Sequence, residues 1–89
     1  MNVDFSKSFD RQFQSRLSAR QRQQALEAIE LFIDEPFHKD LRNHTLYGKW
    51  KGYRSISIGG DLRLHFKVIS GDRVLFEAVG SHDQLYHAL

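Results

Sequence analysis

Cysteine is absent from the 89-residue sequence, and with it every disulfide and every thiolate zinc site. No apolar run approaches the roughly 18 residues that a membrane span requires. The N-terminus lacks an apolar block behind a basic one, so no secretory signal is expected. Internal repeats, linkers and low-complexity stretches are missing as well. Charge of neither sign dominates: 13 Lys and Arg against 11 Asp and Glu leave a formal net charge of +2. The sequence pI near 9.2 permits an anionic partner such as nucleic acid without demanding one. What is present, 40% hydrophobic and 27% charged residues, is ordinary for a globular protein and argues against disorder. One small cytoplasmic domain over residues 1–89 is expected, its core just large enough to fold unaided.

Periodicity divides the chain. Val3 and Phe5 alternate with polar neighbours and suit a short first strand. Phe9, Phe13 and Leu17 then fall at i, i+4 and i+8, one stripe of a helix that otherwise carries Lys7, Arg11, Gln12 and Arg16. Ser18 and Gln21 have capping-box spacing, in which hydroxyl and amide satisfy each other's orphan backbone donors. A second helix follows, with Ala25, Leu26, Ile29, Phe32 and Ile33 as its expected buried stripe. The single proline, Pro36, ends it, because the residue before a proline resists the helical region. Residues 35–45 read as a loop with Leu41 as anchor, and Gly48 and Gly52 bracket Trp50 in a bend.

Strands follow. Tyr53 to Ile58 alternates, and Gly59-Gly60 is a two-residue hairpin signal, since both glycines accept positive φ. On the return, Leu62, Leu64, Phe66 and Val68 point one way and Asp61, Arg63, His65 and Lys67 the other. Ser70-Gly71-Asp72 makes the next turn, and the apolar run from Val74 to Val79 suits a more central strand. Leu85, Tyr86 and Leu89 suit a short helical turn. The order predicts an α+β fold. An N-terminal strand and a helical hairpin pack on one face of a mostly antiparallel sheet, completed by a C-terminal three-stranded meander. The helices should cover Leu62, Leu64 and Phe66, leaving the face of Arg63, His65 and Lys67 open.

Two groups of residues carry candidate chemistry. Lys49, Lys51, Arg54, Arg63, Lys67 and Arg73 cluster in the hairpin region, interleaved with Tyr47, Trp50 and Tyr53. Cations hold phosphates and aromatic rings stack on unpaired bases, although a merely solvated strand face has the same composition. His44 and His82 flank the hairpin and could converge at one end of the sheet. Two imidazoles and an arginine suffice for metal-free RNA cleavage: one takes the ribose 2′-hydroxyl proton, the other protonates the leaving oxygen, and the arginine stabilises the phosphorane. Singly, each histidine also reads as a loop or cap residue. His82 and His87 are spaced for one face of a helical turn, which makes a metal site the rival use, with no carboxylate cluster or cysteine to support it. His38 has no evident partner, and Gly59-Gly60 is explained by its turn rather than as a phosphate-binding loop.

The segment NHTLYGKWKGYRSISIGGDLRLHFKV, followed by LFEAVGSHDQLY, resembles the YafQ branch of the RelE/ParE superfamily of bacterial type II toxins. The shared marks are His-x-Leu-x-Gly-x-Trp-x-Gly-Tyr-Arg, an aspartate at the start of the next strand, and Gly-[Ser/Thr]-His-x-x-Leu-[Tyr/Phe]. They extend over about half of the chain. The resemblance implies a RelE-like fold and a ribosome-dependent endoribonuclease, an mRNA interferase that cuts mRNA in the ribosomal A site against rRNA. It implies no metal or other cofactor, no membrane, and a monomeric toxin neutralised in complex with a cognate antitoxin. The match puts His44, Asp61 and His82 on the branch's functional positions, Tyr86 on its C-terminal aromatic, and Arg63 on the arginine position of the wider RelE group. Lys49, Trp50, Lys51, Arg54, His65 and Lys67 are the expected RNA and ribosome contacts. Ser57, Leu62 and Ala78 depart from the branch, which usually has a histidine, an aromatic and an arginine there. The charge stabiliser therefore moves to Arg63, with Arg54 as its substitute; Arg54 also reads as a structural residue pinning the sheet to the bend. A non-catalytic relative that binds an antitoxin, and the ribosome, without cutting is the alternative.

Overall fold

The computed structural model describes residues 1–87; Leu89, assigned above to a C-terminal turn, lies outside the described residues. Strand β1, Asn2–Phe5, leads directly into helix α1, Lys7–Arg16. Ser6 makes the junction: its Oγ accepts from the Phe9 amide at 3.0 Å and donates to the Glu77 carbonyl at 3.2 Å. One side chain thus starts the helix and ties it to the sheet. Helix α2, Ala19–Asp34, begins at the expected capping box, with Ser18 Oγ accepting from Gln21 N at 3.1 Å and Gln21 Oε1 accepting from Ser18 N at 2.9 Å. Only Leu17 and Ser18 separate the helices, and Leu17 is buried.

The remaining strands are β2, His44–Thr45, β3, Arg54–Gly59, β4, Leu62–Ser70, and β5, Arg73–Ser81, before a last helix, α3, His82–His87. They form a 5-stranded sheet in the order β1-β5-β4-β3-β2. β1 runs parallel to β5, and the other pairs are antiparallel. The apolar β5 is an interior strand, as its composition predicts. β1 covers β5 only as far as Phe76. Beyond that point Val79 N donates to Gln12 Oε1 and Val79 O accepts from Arg16 Nη1, both at 3.0 Å. Two side chains one turn apart on α1 therefore stand in for the missing strand.

The core lies between the helices and one sheet face. Phe32 meets Phe66 and Phe76 edge-on, with ring centroids 4.9 and 5.5 Å away. Leu41 is buried from a short 3-10 turn, Lys39–Leu41, and anchors the loop as expected. Three apolar residues differ from expectation: Leu26, Ile33 and Val68 are exposed. The α2 face toward the sheet runs through Ala25, Ala28, Ile29 and Phe32, which leaves Leu26 and Ile33 on its flank. The outer part of β4, from Lys67 to Ser70, is exposed on both faces, so alternation there no longer reports burial. The hairpin turn also falls one residue late. Gly59 still pairs with Leu62 across a bulge, at φ 116°, and the turn is Gly60-Asp61. Asp61 consequently sits in the turn and not on the strand face.

Candidate functional site

Strand register assembles the site. His44 pairs with Ser55, Ser55 with His65 and His65 with Ala78, one row across β2 to β5. The row nearer the turn is Ser57, Arg63 and Gly80. Between them lies the row of Ile56, Leu64 and Val79, which is buried in the main core. Successive residues alternate faces, so His44, Arg63 and His65 share the face away from α1 and α2. Leu62 pairs with Ser81, so Asp61 and His82 leave the sheet at the same end. This register puts His44 on the face of Arg63 and His65, and His82 at the end of the sheet where the Gly60-Asp61 turn lies.

That face is not open. His65, expected there as an exposed RNA contact, is only 1% exposed. Trp50 lies edge-on against its ring at 4.6 Å and Tyr86 at 5.9 Å. Trp50 is held in turn by Tyr53, at 5.2 Å, and by a 3.0 Å bond from its Nε1 to the Leu85 carbonyl. Trp50 is thus a half-buried lid, and its ring is spent on packing rather than offered for base stacking. Leu46, Ala78 and Leu85 are buried as well, outside the main cluster. Helix α3 lies close because residue 80 is glycine: a Cβ there would meet Gln84 Oε1 at 2.8 Å and Arg16 Nη1 at 3.1 Å. The helix starts on its own capping box, Ser81 N donating to Gln84 Oε1 at 2.9 Å and Gln84 N to Ser81 Oγ at 3.2 Å. The Ser-x-x-Gln spacing at 81–84 repeats the signal at 18–21 and would have announced α3.

Burial pushes the His65 pKa down to about 4, with lesser electrostatic contributions from His44, Arg63 and His82. His65 Nδ1 and Ser55 Oγ, on register-paired residues, are buried with no hydrogen-bond partner.

His44 is exposed, and its Nδ1 lies 2.7 Å from the Arg42 carbonyl. A carbonyl only accepts, so Nδ1 carries the proton and Nε2 keeps its lone pair in the neutral ring. Arg42 presents that carbonyl from a left-handed conformation, φ 51°. The His82 ring stacks on Tyr86 at 4.6 Å and 24°. Arg63 Nη1 donates to the Gly60 and Leu62 carbonyls at 2.9 Å each and to Ser57 Oγ at 3.3 Å, folding the guanidinium back over the turn. A groove of about 700 Å³ beside this turn is lined by Arg42, Ser57, Gly59 and Gly60 together with Lys39 and Asp40. It thus adjoins the anchor of His44 and the anchors of Arg63.

Other cations separate from the site. Arg54 donates to Asn43 Oδ1 at 2.8 Å and Thr45 Oγ1 at 2.7 Å, lies 5.5 Å from the Phe37 ring, and shares its row with the core residue Phe66. It pins the sheet to the preceding loop through Nε and Nη1. Arg73 pairs with Asp4 at 3.0 Å, at the opposite end of β5 from Ser81, and so leaves the expected cationic cluster. Lys49 and Lys51 are exposed in the bend, and the exposed Lys67 ammonium lies 6.0 Å from the Tyr53 ring. His82, Asp83 and His87 bring ligand-capable atoms within 4.8 Å of one another. No helix among the described residues is long and apolar enough to cross a membrane.

A parallel N-terminal strand, a helical hairpin, and an antiparallel meander carrying histidines at one end form the fold seen in solved YafQ and YoeB/ParE toxins. The chain belongs to the YafQ family, bacterial toxins of type II toxin-antitoxin systems, whose family model matches residues 1–87. Among curated proteins, none matches the sequence. Among solved structures, YafQ from E. coli strain BL21(DE3) is similar at 23% identity and a TM-score of 0.77, over 96% of this chain and 97% of that one. A YoeB/ParE toxin from Agrobacterium tumefaciens is similar at 22% identity and a TM-score of 0.73, over 92% and 99%. The E. coli DinJ-YafQ toxin-antitoxin complex matches at 23% identity and a TM-score of 0.74, over 96% of each chain.

Proposed function

We propose that the chain is a ribosome-dependent endoribonuclease that cleaves mRNA without a metal and thereby arrests translation. The observation that carries this reading is the strand register, which puts His44 and Arg63 on one sheet face and brings His82 off the sheet at the end where Arg63 lies. His44 is the general base, since its Nδ1 is committed to the Arg42 carbonyl and Nε2 is left to accept. It takes the proton of a ribose 2′-hydroxyl, and the 2′-oxygen attacks the adjacent phosphorus. His82, protonated, gives its proton to the departing 5′-oxygen. The products are a 2′,3′-cyclic phosphate and a free 5′-hydroxyl. Arg63 meets the charge that develops on the phosphorane oxygens, its Nη2 and Nε available while Nη1 is anchored. Tyr86 orients the His82 ring by stacking, and Asp61 stands in the turn beside Arg63.

The departures at Ser57, Leu62 and Ala78 have local uses: Ser57 accepts from Arg63, Leu62 is buried in the core, and Ala78 packs opposite His65. The shallow groove fixes an RNA strand poorly by itself, which favours a substrate already held in the ribosomal A site, in the cytoplasm, with Lys49, Lys51 and Lys67 against mRNA and rRNA. A cognate antitoxin is the expected partner, as in the solved DinJ-YafQ toxin-antitoxin complex of the E. coli relative, and on charge complementarity it would cover the cationic face of a monomeric toxin.

One observation favours the second reading, a module that binds antitoxin and ribosome without cutting: three acceptors already hold Arg63 Nη1. Cleavage of mRNA on programmed ribosomes by the purified chain and its His82→Ala variant decides between them. Cutting that is lost in His82→Ala, and far weaker on naked RNA, supports the nuclease. No cutting on intact ribosomes to which the chain binds establishes the second reading instead.

A further inference from the structure

Helix α3 holds a cluster of which the cleavage chemistry uses only His82. His82, Asp83 and His87 each offer one ligand atom, these atoms lie within 4.8 Å of one another, and all three residues are exposed. The two imidazole rings are 6.3 Å apart at 61°. The histidine spacing alone suggested one helical turn; the carboxylate that a metal would want is Asp83, in the first turn of the same helix. The centre of a triangle with 4.8 Å sides is about 2.8 Å from each corner, so each ligand need move inward by less than about 1 Å to reach bonds of about 2.0–2.2 Å. Exposed side chains make such a shift by small rotations, without disturbing the core.

We propose that His82, Asp83 and His87 form a site for a divalent transition-metal ion such as Zn²⁺, Cu²⁺ or Ni²⁺, and that its occupancy switches RNA cleavage off. Two imidazoles and one carboxylate suit these borderline ions, whereas Mg²⁺ and Ca²⁺ want oxygen ligands. Three protein ligands leave a further coordination position to water. The switch rests on the reading of His82 as proton donor: an imidazole nitrogen bound to a metal has no proton to give the leaving oxygen. Asp83 and His87 have no part in that chemistry. The ion is therefore an inhibitor of a metal-independent reaction, and its removal restores activity.

Calorimetric titration of the purified chain with Zn²⁺ tests the site, and ribosome-bound mRNA cleavage with and without Zn²⁺ tests the switch. One ion per chain is expected, with Mg²⁺ giving no heat. Losing an outer-shell partner typically weakens a metal site 10–100-fold, so His87→Ala, which removes a direct ligand, should weaken Zn²⁺ binding by roughly tenfold or more. His87→Ala should also cleave at the wild-type rate without metal and resist Zn²⁺ at a concentration that stops the wild type. Using the same ribosomes and the same Zn²⁺ for both proteins cancels any effect of zinc on the ribosome. Absence of Zn²⁺ binding, or binding unchanged in the Asp83→Asn/His87→Ala double variant, overturns the site. Binding without inhibition overturns the switch. A chain that binds Zn²⁺ through these residues but never cleaves keeps the site and removes both the switch and the nuclease reading, so the two failures are distinct.

Discussion

Acid should destabilise this protein through His65, and the structure sets the size of the effect. The ring is buried beneath Trp50 and Tyr86, and its pKa falls from 6.5 to about 4 because burial, and then His44, Arg63 and His82, disfavour its charged form. A depressed folded-state pKa means that the unfolded chain binds the proton first as pH drops. The contribution is therefore fully present above pH 6.5 and is lost as pH falls toward 4. At about 1.4 kcal/mol per pH unit, about 2 kcal/mol is lost by pH 5 and about 3 kcal/mol by pH 4. That is a large share of the roughly 5–15 kcal/mol that holds a typical domain together. The comparison is between wild type and His65→Leu, by urea unfolding from pH 7 to pH 4. An apolar side chain should be tolerated at neutral pH, because His65 Nδ1 has no partner to lose. Other groups titrate in both proteins and cancel in the difference. Wild type should lose about 2–3 kcal/mol more than His65→Leu over this interval. Equal losses would refute the reasoning, as would an NMR titration in which the His65 ring protonates near its ordinary 6.5.

Other outcomes are as definite. Arg63→Ala should lower single-turnover cleavage on saturating ribosomes by roughly a hundredfold or more, the scale of losing one transition-state donor. Lys67→Ala, roughly 13 Å further along the same strand face, should instead weaken ribosome binding and flatten its salt dependence by about one unit of slope. Normal cleavage by bound Arg63→Ala would make Arg63 an anchor only. Cleavage should survive EDTA once ribosome integrity is confirmed; activity that zinc restores after chelation would contradict the acid-base reading. Trp50→Phe removes the donor to the Leu85 carbonyl and should cost about 1–3 kcal/mol, with faster amide exchange across α3. Unchanged exchange there would mean that α3 is held by Gly80 and its own cap instead.

Local rules made much of the fold legible. Proline, capping residues and apolar periodicity located both long helices and the C-terminal meander, because each depends on neighbours within one helical turn or one strand pair. The histidines and Arg63 were visible as candidates for the same reason: hairpin register is set by a turn and an alternation of period two. The Leu62-to-Phe66 side of β4 faced the helices as alternation requires. The burial of His65 was not legible. Alternation placed it on the polar side, but whether that side meets water depends on Trp50 reaching Leu85, 35 residues away in sequence. Arg54 and Arg73 counted as equal members of a basic cluster until Asn43, Thr45 and Asp4 claimed them. Asp83 came within 4.8 Å of the ligand-capable atoms of His82 and His87 only when α3 formed. By itself the sequence determined which segments are helix or strand and which side chains can carry charge and protons. The tertiary structure alone decided which of those side chains are buried, paired or free, because burial and partnership are set by long-range contacts.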